Sequence, residues 1–361
     1  MKIAVIAFEW PSDQRRTGGV SHFNYRLCCM LAKLGHDVTA YTLQEDPAMQ
    51  VEAGFRVVNA VSGHRGGRHG RFYRYYAAPL QARKLKFDGC DLVLSSGDDW
   101  AMRRPRVPWI RLMHGSAWRE LRHNRRWLRK LNLGFLYALE TWSMLRSDRT
   151  LYNSTDTKKL YPHRRQDRIV HLPVDTRMFH PGVKENVPTL LFVGELDSRK
   201  RGRWLLEMFV NRVRPAMPQA QLWMVCEPGE PYDGVTYIQH VTLEQLADLY
   251  RRAQVFCMPS SYEGYGIPYM EAMASGTLVV TTPNPGAEEL LRQGRYGWIV
   301  SDSELPSALI EALLEPRDHA MWTNPALLWA REHEWEVLLP AFLAGGASPS
   351  DAPLAVNEGQ S

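Results

Sequence analysis

Two carboxylates eight residues apart are the groups in this chain best placed to do chemistry. Glu263 and Glu271 flank a Gly-x-Gly turn formed by Gly264 and Gly266, and Pro268 follows the turn. Proline suits the first turn of a helix, because the N–H group that it lacks has no partner there. The pattern therefore predicts a loop that carries Glu263 and a helix that carries Glu271 one turn after its start.

A loop and helix end of this kind would favour a ligand that is both anionic and rich in hydroxyl groups. The two glycines allow backbone N–H groups to approach a ligand closely, and a helix N-terminus attracts negative charge. The carboxylates would accept hydrogen bonds from hydroxyl groups, so a sugar attached to a phosphate fits. The alternative is an ordinary loop-to-helix junction in which Glu271 only offsets the helix dipole, an effect below about 1 kcal/mol.

The segment from Glu263 to Gly276 resembles the Glu-Gly-Phe-Gly-x-Pro-x-x-Glu-Ala-Met-Ala-x-Gly signature of the retaining, GT-B-fold glycosyltransferases of family 4, with Tyr265 at the Phe position. The resemblance implies that Glu263 lies near the anomeric carbon of a donor sugar and acts in catalysis. It implies that Glu271 binds the ribose hydroxyls of the nucleotide. The intervening donor-binding positions are Gly264, Tyr265, Gly266 and Ile267.

A second motif of that family supplies positive charge to the diphosphate and reads Gly-Arg-x-x-x-x-Lys-Gly. The corresponding segment of this chain is Gly194-Glu-Leu-Asp-Ser-Arg-Lys-Arg-Gly202. Lys200 therefore matches the lysine of the motif, and Glu195 replaces its arginine. A carboxylate beside a diphosphate is repulsive, so either Glu195 points elsewhere or Arg199 and Arg201 compensate. A solvated basic loop is the alternative interpretation of Lys200.

Three further positions are candidates through the same resemblance. His114 ends a predicted strand and would help to position the donor sugar, although a lone strand-end histidine is often structural. Gly18 and Gly19 precede a helix and could bring backbone amides to a phosphate or an acceptor. Glu289 lies in Asn284-Pro-Gly-Ala-Glu-Glu289, a turn expected to support the nucleotide.

The chain contains no Asp-x-Asp triplet of the kind that holds a divalent ion on a diphosphate. The expected reaction is therefore metal-independent, with Lys200 and the helix N-terminus near Ile267 carrying the charge and with no cofactor beyond the nucleotide diphosphate sugar. No Gly-x-Gly-x-x-Gly is present either, so little favours a nicotinamide dinucleotide.

Apolar runs alternate with helical stretches along the chain, which predicts an α/β protein of two Rossmann-like domains that face one another across a cleft. The predicted strands are 2–8, 37–42, 55–59, 91–95, 109–114, 150–152, 169–172, 189–193, 222–225, 236–238, 255–258 and 278–281. The predicted helices include 20–34, 131–145, 204–213 and 243–251.

The predicted domain boundaries follow from these elements and from the prolines between them. Residues 1–175 form an acceptor-binding domain, 176–188 a linker, and 189–320 a nucleotide-sugar-binding domain. Residues 321–344 form a helix that returns to the first domain, and 345–361 a disordered tail rich in Gly, Ser and Pro.

Composition favours a cytoplasmic protein. The chain has 361 residues, is 45% hydrophobic, and has five scattered cysteines without the spacing of a zinc site. The apolar opening from Met1 to Phe8 runs directly into Glu9, which is too short for a signal peptide.

A basic stretch lies between residues 101 and 130, where nine Arg and one Lys accompany the single acid Glu120 and three tryptophans. Arg with Trp is typical of an anionic membrane surface or of a nucleic-acid groove. A nucleic-acid function would leave the Glu263–Gly276 motif unexplained, so the stretch from Arg103 to Lys130 is expected to contact the inner face of a membrane that carries a lipid-linked or polysaccharide acceptor. Two alternatives stay open: a solvated basic face, and a non-catalytic protein that only binds sugar nucleotides.

Overall fold

The computed structural model describes residues 1–11, 18–43, 54–61, 72–123, 126–315 and 319–344. The chain divides into two compact units at Leu172. The first unit is Met1–Leu172 together with the residues from Leu338 onward, and the second is Pro173–Val337. The residues from Leu338 onward thus group with the first unit rather than with the second. The predicted tail at 345–361 lies outside the described residues.

The first unit is built on a parallel sheet of seven strands within the described residues, in the order β3-β2-β1-β4-β5-β6-β7. Its central strands read as apolar runs because helices cover both faces of a parallel sheet; in β4, for example, all four residues are buried. The strands are β1 (Lys2–Ile6), β2 (Asp37–Thr42), β3 (Arg56–Asn59), β4 (Leu92–Ser95), β5 (Trp109–Met113), β6 (Arg149–Tyr152) and β7 (Arg168–Ile169).

Helices connect these strands. They are α1 (Gly19–Lys33), a π-helical turn (Tyr73–Ala77) that runs into α2 (Ala78–Ala82), α3 (Ala117–His123), α4 (Trp127–Arg146) and α5 (Thr155–Lys159). Helix α4 begins four residues before the predicted start at Leu131, and its buried residues include Leu133, Leu136 and Met144.

The second unit is built on a parallel sheet of six strands within the described residues, in the order β10-β9-β8-β11-β12-β13. Its strands are β8 (Thr189–Val193), β9 (Gln221–Val225), β10 (Val235–Ile238), β11 (Val255–Cys257), β12 (Leu278–Thr281) and β13 (Trp298–Ile299). Strand β13 was not predicted from the sequence. It has only two residues, too few to show an apolar pattern.

The helices of the second unit are α6 (Gly202–Met208), a π-helical turn (Phe209–Val213), α7 (Arg214–Ala216), α8 (Leu243–Arg252), α9 (Ile267–Ala274), α10 (Pro285–Leu290), a 3₁₀ turn (Arg292–Gly294), α11 (Leu305–Leu314), α12 (Ala320–Glu332) and α13 (Trp335–Ala344), the last of which extends into the first unit. Helix α8 starts with a capping box, in which the Thr242 hydroxyl accepts from Gln245 N and the Gln245 side chain accepts from Thr242 N.

Candidate functional site

Three loops of the second unit meet because they follow neighbouring strands. Strands β8, β11 and β12 are adjacent and parallel, so the segments after them emerge at one edge of the sheet. Lys200 lies in the loop after β8, Glu263 in the loop after β11, and Asn284 in the turn after β12. The topology brings together the two motifs that the sequence analysis identified separately.

Glu263 is buried, with 4% of its surface exposed. The turn after β12 holds its loop, since Gly286 N donates to the Glu263 carbonyl oxygen at 2.8 Å. A Cβ on Gly286 would lie 2.4 Å from the Tyr265 carbonyl oxygen, so only glycine permits this approach. The turn that carries Glu289 therefore supports the Glu263 loop directly, and Glu289 itself is half-buried on α10.

Arg199 is the ion-pair partner of Glu263. Its Nη2 lies 2.7 Å from Glu263 Oε1, and its side chain is 52% exposed against 5% for the glutamate. The Arg199 backbone is held in place as well, because Ser261 N donates to its carbonyl oxygen at 2.9 Å. A half-exposed guanidinium thus covers a buried carboxylate at the carboxyl edge of the sheet.

Lys200 is held on the same side of the sheet, where its Nζ donates to the Val193 carbonyl oxygen at 3.1 Å. A Cβ on Gly194, the residue after β8, would lie 2.5 Å from Lys200 Cδ, so a side chain there would displace Lys200. Burial lowers the pKa of the Lys200 ammonium, and the nearby Glu263 and Glu271 carboxylates oppose that shift. The ammonium therefore lies within the field of both predicted site carboxylates.

Helix α9 starts where the sequence predicts and places Glu271 in its second turn. Gly266 precedes the helix with φ +99°, a left-handed conformation that favours glycine, and Ile267 and Pro268 open the first turn. Burial raises the pKa of Glu271 to about 7, although the Tyr250 hydroxyl and Lys200 lower it. Sequence reasoning did not identify Tyr250, which comes from α8 and is fully buried beside Glu271.

The carboxylate of Glu195, which stands in place of the family arginine, acts electrostatically on Lys200. Glu195 is exposed to solvent. The Arg201 guanidinium forms a bidentate ion pair with Asp302, with N–O distances of 2.9 and 2.8 Å. It also lies 3.9 Å from the centre of the Trp204 ring. Arg201 thus turns away from the site. Of the two arginines that flank Lys200, only Arg199 therefore contacts Glu263.

The candidate residues of the first unit lie at the carboxyl edge of its own sheet. His114 follows β5, its Nε2 lies 2.8 Å from Ser96 Oγ, and its Nδ1 is buried with no hydrogen-bond partner among the residues that the structure describes. Burial, together with Arg111, lowers the pKa of His114 to about 4, so the ring is neutral at neutral pH. Gly18 and Gly19 open helix α1, where Gly18 is the N-cap residue at φ −80°.

An ion-paired group at the same edge was not identified from the sequence. Arg74 pairs with Glu9, after β1, and its Nε lies 3.3 Å from Asp98 Oδ2, after β4. Burial raises the pKa of Asp98 to about 6. The sequence could have indicated Glu9 and Asp98, because both acids lie just after apolar strands. It gave no indication of their partner Arg74, which follows a segment without a clear pattern.

The basic stretch does not form one exposed surface. In the described part of the stretch, four arginines pair with acids, and the indole of Trp109 is fully buried. The pairs are Arg111 with Asp99 at 3.0 Å, Arg129 with Glu120 at 2.8 Å, Arg104 with Asp148, and Arg119 with Asp156. Arg111 is itself buried, so it does not belong to the exposed part of the stretch from Arg103 to Lys130, and membrane contact through that stretch stays a prediction. No helix in the described part of the chain has the length and apolar character to cross a membrane.

Two family models match the chain and together cover most of it. Residues 17–177 match "Glycosyltransferase Family 4", and residues 187–316 match "Glycosyl transferases group 1". The chain therefore belongs to the GT-B-fold glycosyltransferases of family 4.

Individual similarities agree with that family. O-antigen chain mannosyltransferase B from Escherichia coli is 29% identical over 163 residues, which is 40% of this chain and 42% of that protein. The chain spans about two fifths of the length of the first curated relatives that it matches. Sucrose-phosphate synthase from Thermosynechococcus elongatus has the same fold, with a TM-score of 0.78 at 19% identity over 95% of this chain and 97% of that one. HepE from Anabaena, solved with UDP-glucose, has a TM-score of 0.69 at 13% identity over 96% and 99% of the two chains.

Proposed function

We propose that the chain is a retaining, metal-independent glycosyltransferase that moves a sugar from a nucleotide diphosphate sugar to a hydroxyl group of a glycan or lipid-linked acceptor. One observation carries the proposal. Two carboxylates, Glu263 and Glu271, and two cations, Arg199 and Lys200, converge at one edge of the second sheet beside the N-terminus of α9. A nucleotide diphosphate sugar offers hydroxyl groups for the carboxylates and phosphates for the cations.

The cations would neutralise the charge that accumulates on the leaving diphosphate. A guanidinium has five N–H donors, so its contact with Glu263 leaves donors for a phosphate oxygen. Lys200 adds a second positive charge, and the backbone N–H groups at Ile267 add partial charge. These protein groups can stabilise the leaving group without a divalent ion.

Glu263 would stabilise positive charge at the anomeric carbon while that carbon separates from the phosphate oxygen. In front-face substitution the acceptor oxygen bonds to the anomeric carbon on the face that the phosphate leaves. The acceptor proton passes to the departing phosphate oxygen, which balances the step and retains the configuration. Glu271 would accept hydrogen bonds from the ribose hydroxyls, and His114, as a neutral imidazole, would hydrogen-bond the donor sugar through a ring nitrogen.

The test is the substitution Glu263→Gln, which keeps the shape of the side chain and removes its charge. We expect sugar transfer to fall by on the order of a thousandfold, a typical loss when one electrostatic contact to a transition state is removed. Stabilisation of the protein by nucleoside diphosphates in a thermal-shift panel should persist. Glu288→Gln, an exposed carboxylate of the neighbouring α10, is the control and should keep full activity.

The second candidate function is a non-catalytic protein that binds sugar nucleotides, and the carboxylate at Glu195 in place of the family arginine favours it. The thermal-shift panel, combined with an assay for sugar transfer, distinguishes the transferase from the non-catalytic binding protein. Thermal stabilisation by a nucleotide diphosphate sugar without a product on any acceptor would support the binding protein. Full turnover by Glu263→Gln would reject the role given to Glu263.

A further inference from the structure

Helix α4 of the first unit (Trp127–Arg146) exposes an apolar stripe along its whole length. Its members recur at alternating spacings of three and four residues, which places them on one face of a helix. They are Leu128 at 64% exposure, Leu131 at 64%, Phe135 at 57%, Trp142 at 55% and Leu145 at 52%, with exposed Ala138 between them. The opposite face packs inward through Leu133, Leu136 and Met144.

Aromatic residues of neighbouring elements widen the stripe into a surface. The Phe72 ring, 75% exposed, lies 5.3 Å from Tyr76, which in turn lies 5.9 Å from Phe135. At the start of the helix, Trp127 is 67% exposed. A contiguous exposed apolar surface of this kind is typical of a contact with a membrane or a partner.

The charges around this surface are mostly positive. Among the residues that the structure describes, exposed cations here include Arg122 on α3 and Lys130 on α4. The acids nearby are committed elsewhere: Glu120 pairs with Arg129 at 2.8 Å, and Glu140, the acid of α4, accepts from Ala117 N and from the Tyr161 hydroxyl.

We propose that the surface formed by Phe72, Trp127 and the α4 stripe docks on an anionic lipid bilayer. Apolar side chains flanked by tryptophan and cations are the composition of an interfacial amphipathic helix, whose apolar face enters the bilayer while its cations meet lipid phosphates. A second copy of the chain fits less well. If the α4 helices of two copies packed in parallel, Lys130 of one copy would face Lys130 of the other. If they packed antiparallel, Lys130 would lie near Arg146. In both arrangements the one acid of α4, Glu140, already has other partners, so like charges would meet without a counter-charge from α4.

The contact thus depends on α4 rather than on the whole stretch from Arg103 to Lys130, of which four arginines are already paired. It is independent of the proposed transfer reaction, since every donor-phosphate candidate of the second unit lies elsewhere in the chain.

The test is sedimentation of the full chain with vesicles of phosphatidylcholine and with vesicles of equimolar phosphatidylcholine and phosphatidylglycerol. We expect binding to the anionic vesicles that weakens with salt, and weaker binding to the neutral ones. The double substitution Leu131→Glu/Phe135→Glu should reduce binding at least about tenfold, because two apolar contacts are replaced by repelled charges. Lys130→Gln should reduce binding to the anionic vesicles alone.

Val183→Glu/Met321→Glu is the matched control, since both residues are exposed apolar side chains of the second unit, at 87% and 69%. It should bind vesicles as the unsubstituted chain does. An equal loss in the control, or no sedimentation with either vesicle, would overturn the proposal. So would a dimer in light scattering that Leu131→Glu/Phe135→Glu dissociates, because that result would assign the surface to a second copy. Thermal stabilisation by nucleoside diphosphates should be the same in all these variants. This measurement reports on the proposed function and vesicle sedimentation reports on the membrane contact, so the failure of one can be distinguished from the failure of the other.

Discussion

Glu271 is the residue whose environment makes the site sensitive to pH. Burial raises its pKa from 4.5 to about 7, so between these values the unfolded chain releases the proton more readily than the folded chain. Raising the pH through this window therefore favours unfolding, and the loss of stability levels off above about pH 7.

The substitution Glu271→Gln should remove this dependence. We expect the difference in Tm between the variant and the unsubstituted chain to increase in favour of the variant from pH 5 to pH 8, because the variant never ionises the buried carboxyl. Thermal denaturation across that pH range measures the difference, in which titrations elsewhere in the protein cancel. Glu288→Gln is the control for glutamine itself, and a difference that does not change with pH would contradict the shifted titration.

The positions of Glu263, Glu271 and Lys200 could be predicted from the sequence because each belongs to a local motif. The contacts of the arginines could not. Arg199 pairs with a glutamate that lies after a different strand, and Arg201 pairs with Asp302, which is 101 residues away. Such pairs depend on which strands are neighbours in the sheet, and spacing along the chain carries no information about that.

At the scale of elements, the junction between the Glu263 loop and α9 depends on Gly266. Its φ of +99° is unfavourable for a residue with a side chain, and a Cβ there would lie 2.4 Å from Tyr269 Cδ2. The Tyr269 ring has little freedom to move because it is fully buried and its hydroxyl donates to the Met258 carbonyl oxygen at 3.0 Å.

Gly266→Ala should therefore destabilise the protein by roughly 1–3 kcal/mol through strain and crowding together. Gly294→Ala separates the two causes, since Gly294 has φ +97° with no atom within 4 Å of its Cβ position. This control should cost about 1 kcal/mol through backbone conformation alone. Urea denaturation provides both values, and equal losses would show that crowding by Tyr269 contributes nothing.

Elements with strong apolar patterns were predicted well, and the shorter or interrupted ones were not. Strands β2, β8 and β12 have the predicted bounds, because their apolar runs are flanked by clear turns. The helix predicted over 204–213 starts at Gly202 and changes to a π-helical turn from Phe209 to Val213. A π turn adds one residue to a helical repeat without changing the residue types, so the apolar pattern does not reveal it.

At the scale of the whole molecule, the proposed roles are divided between the two units of the chain. The candidates for the nucleotide and its diphosphate, Arg199, Lys200 and Glu271, belong to residues 173–337, whereas His114 belongs to the first unit. If binding of the nucleotide rests on the second unit, a change at His114 should affect turnover and leave nucleotide affinity intact.

We expect His114→Ala to lower the rate of sugar transfer by roughly tenfold to a hundredfold, the effect of one lost hydrogen bond to the donor sugar. Its thermal stabilisation by nucleoside diphosphates should equal that of the unsubstituted chain, whereas Lys200→Ala should lose that stabilisation. Loss of nucleotide binding in His114→Ala would mean that the first unit helps to bind the nucleotide. Unchanged turnover in His114→Ala would instead mean that His114 has only a structural role, through its hydrogen bond with Ser96. The unpartnered ring nitrogen can contribute to the reaction only if the substrate supplies its hydrogen-bond partner.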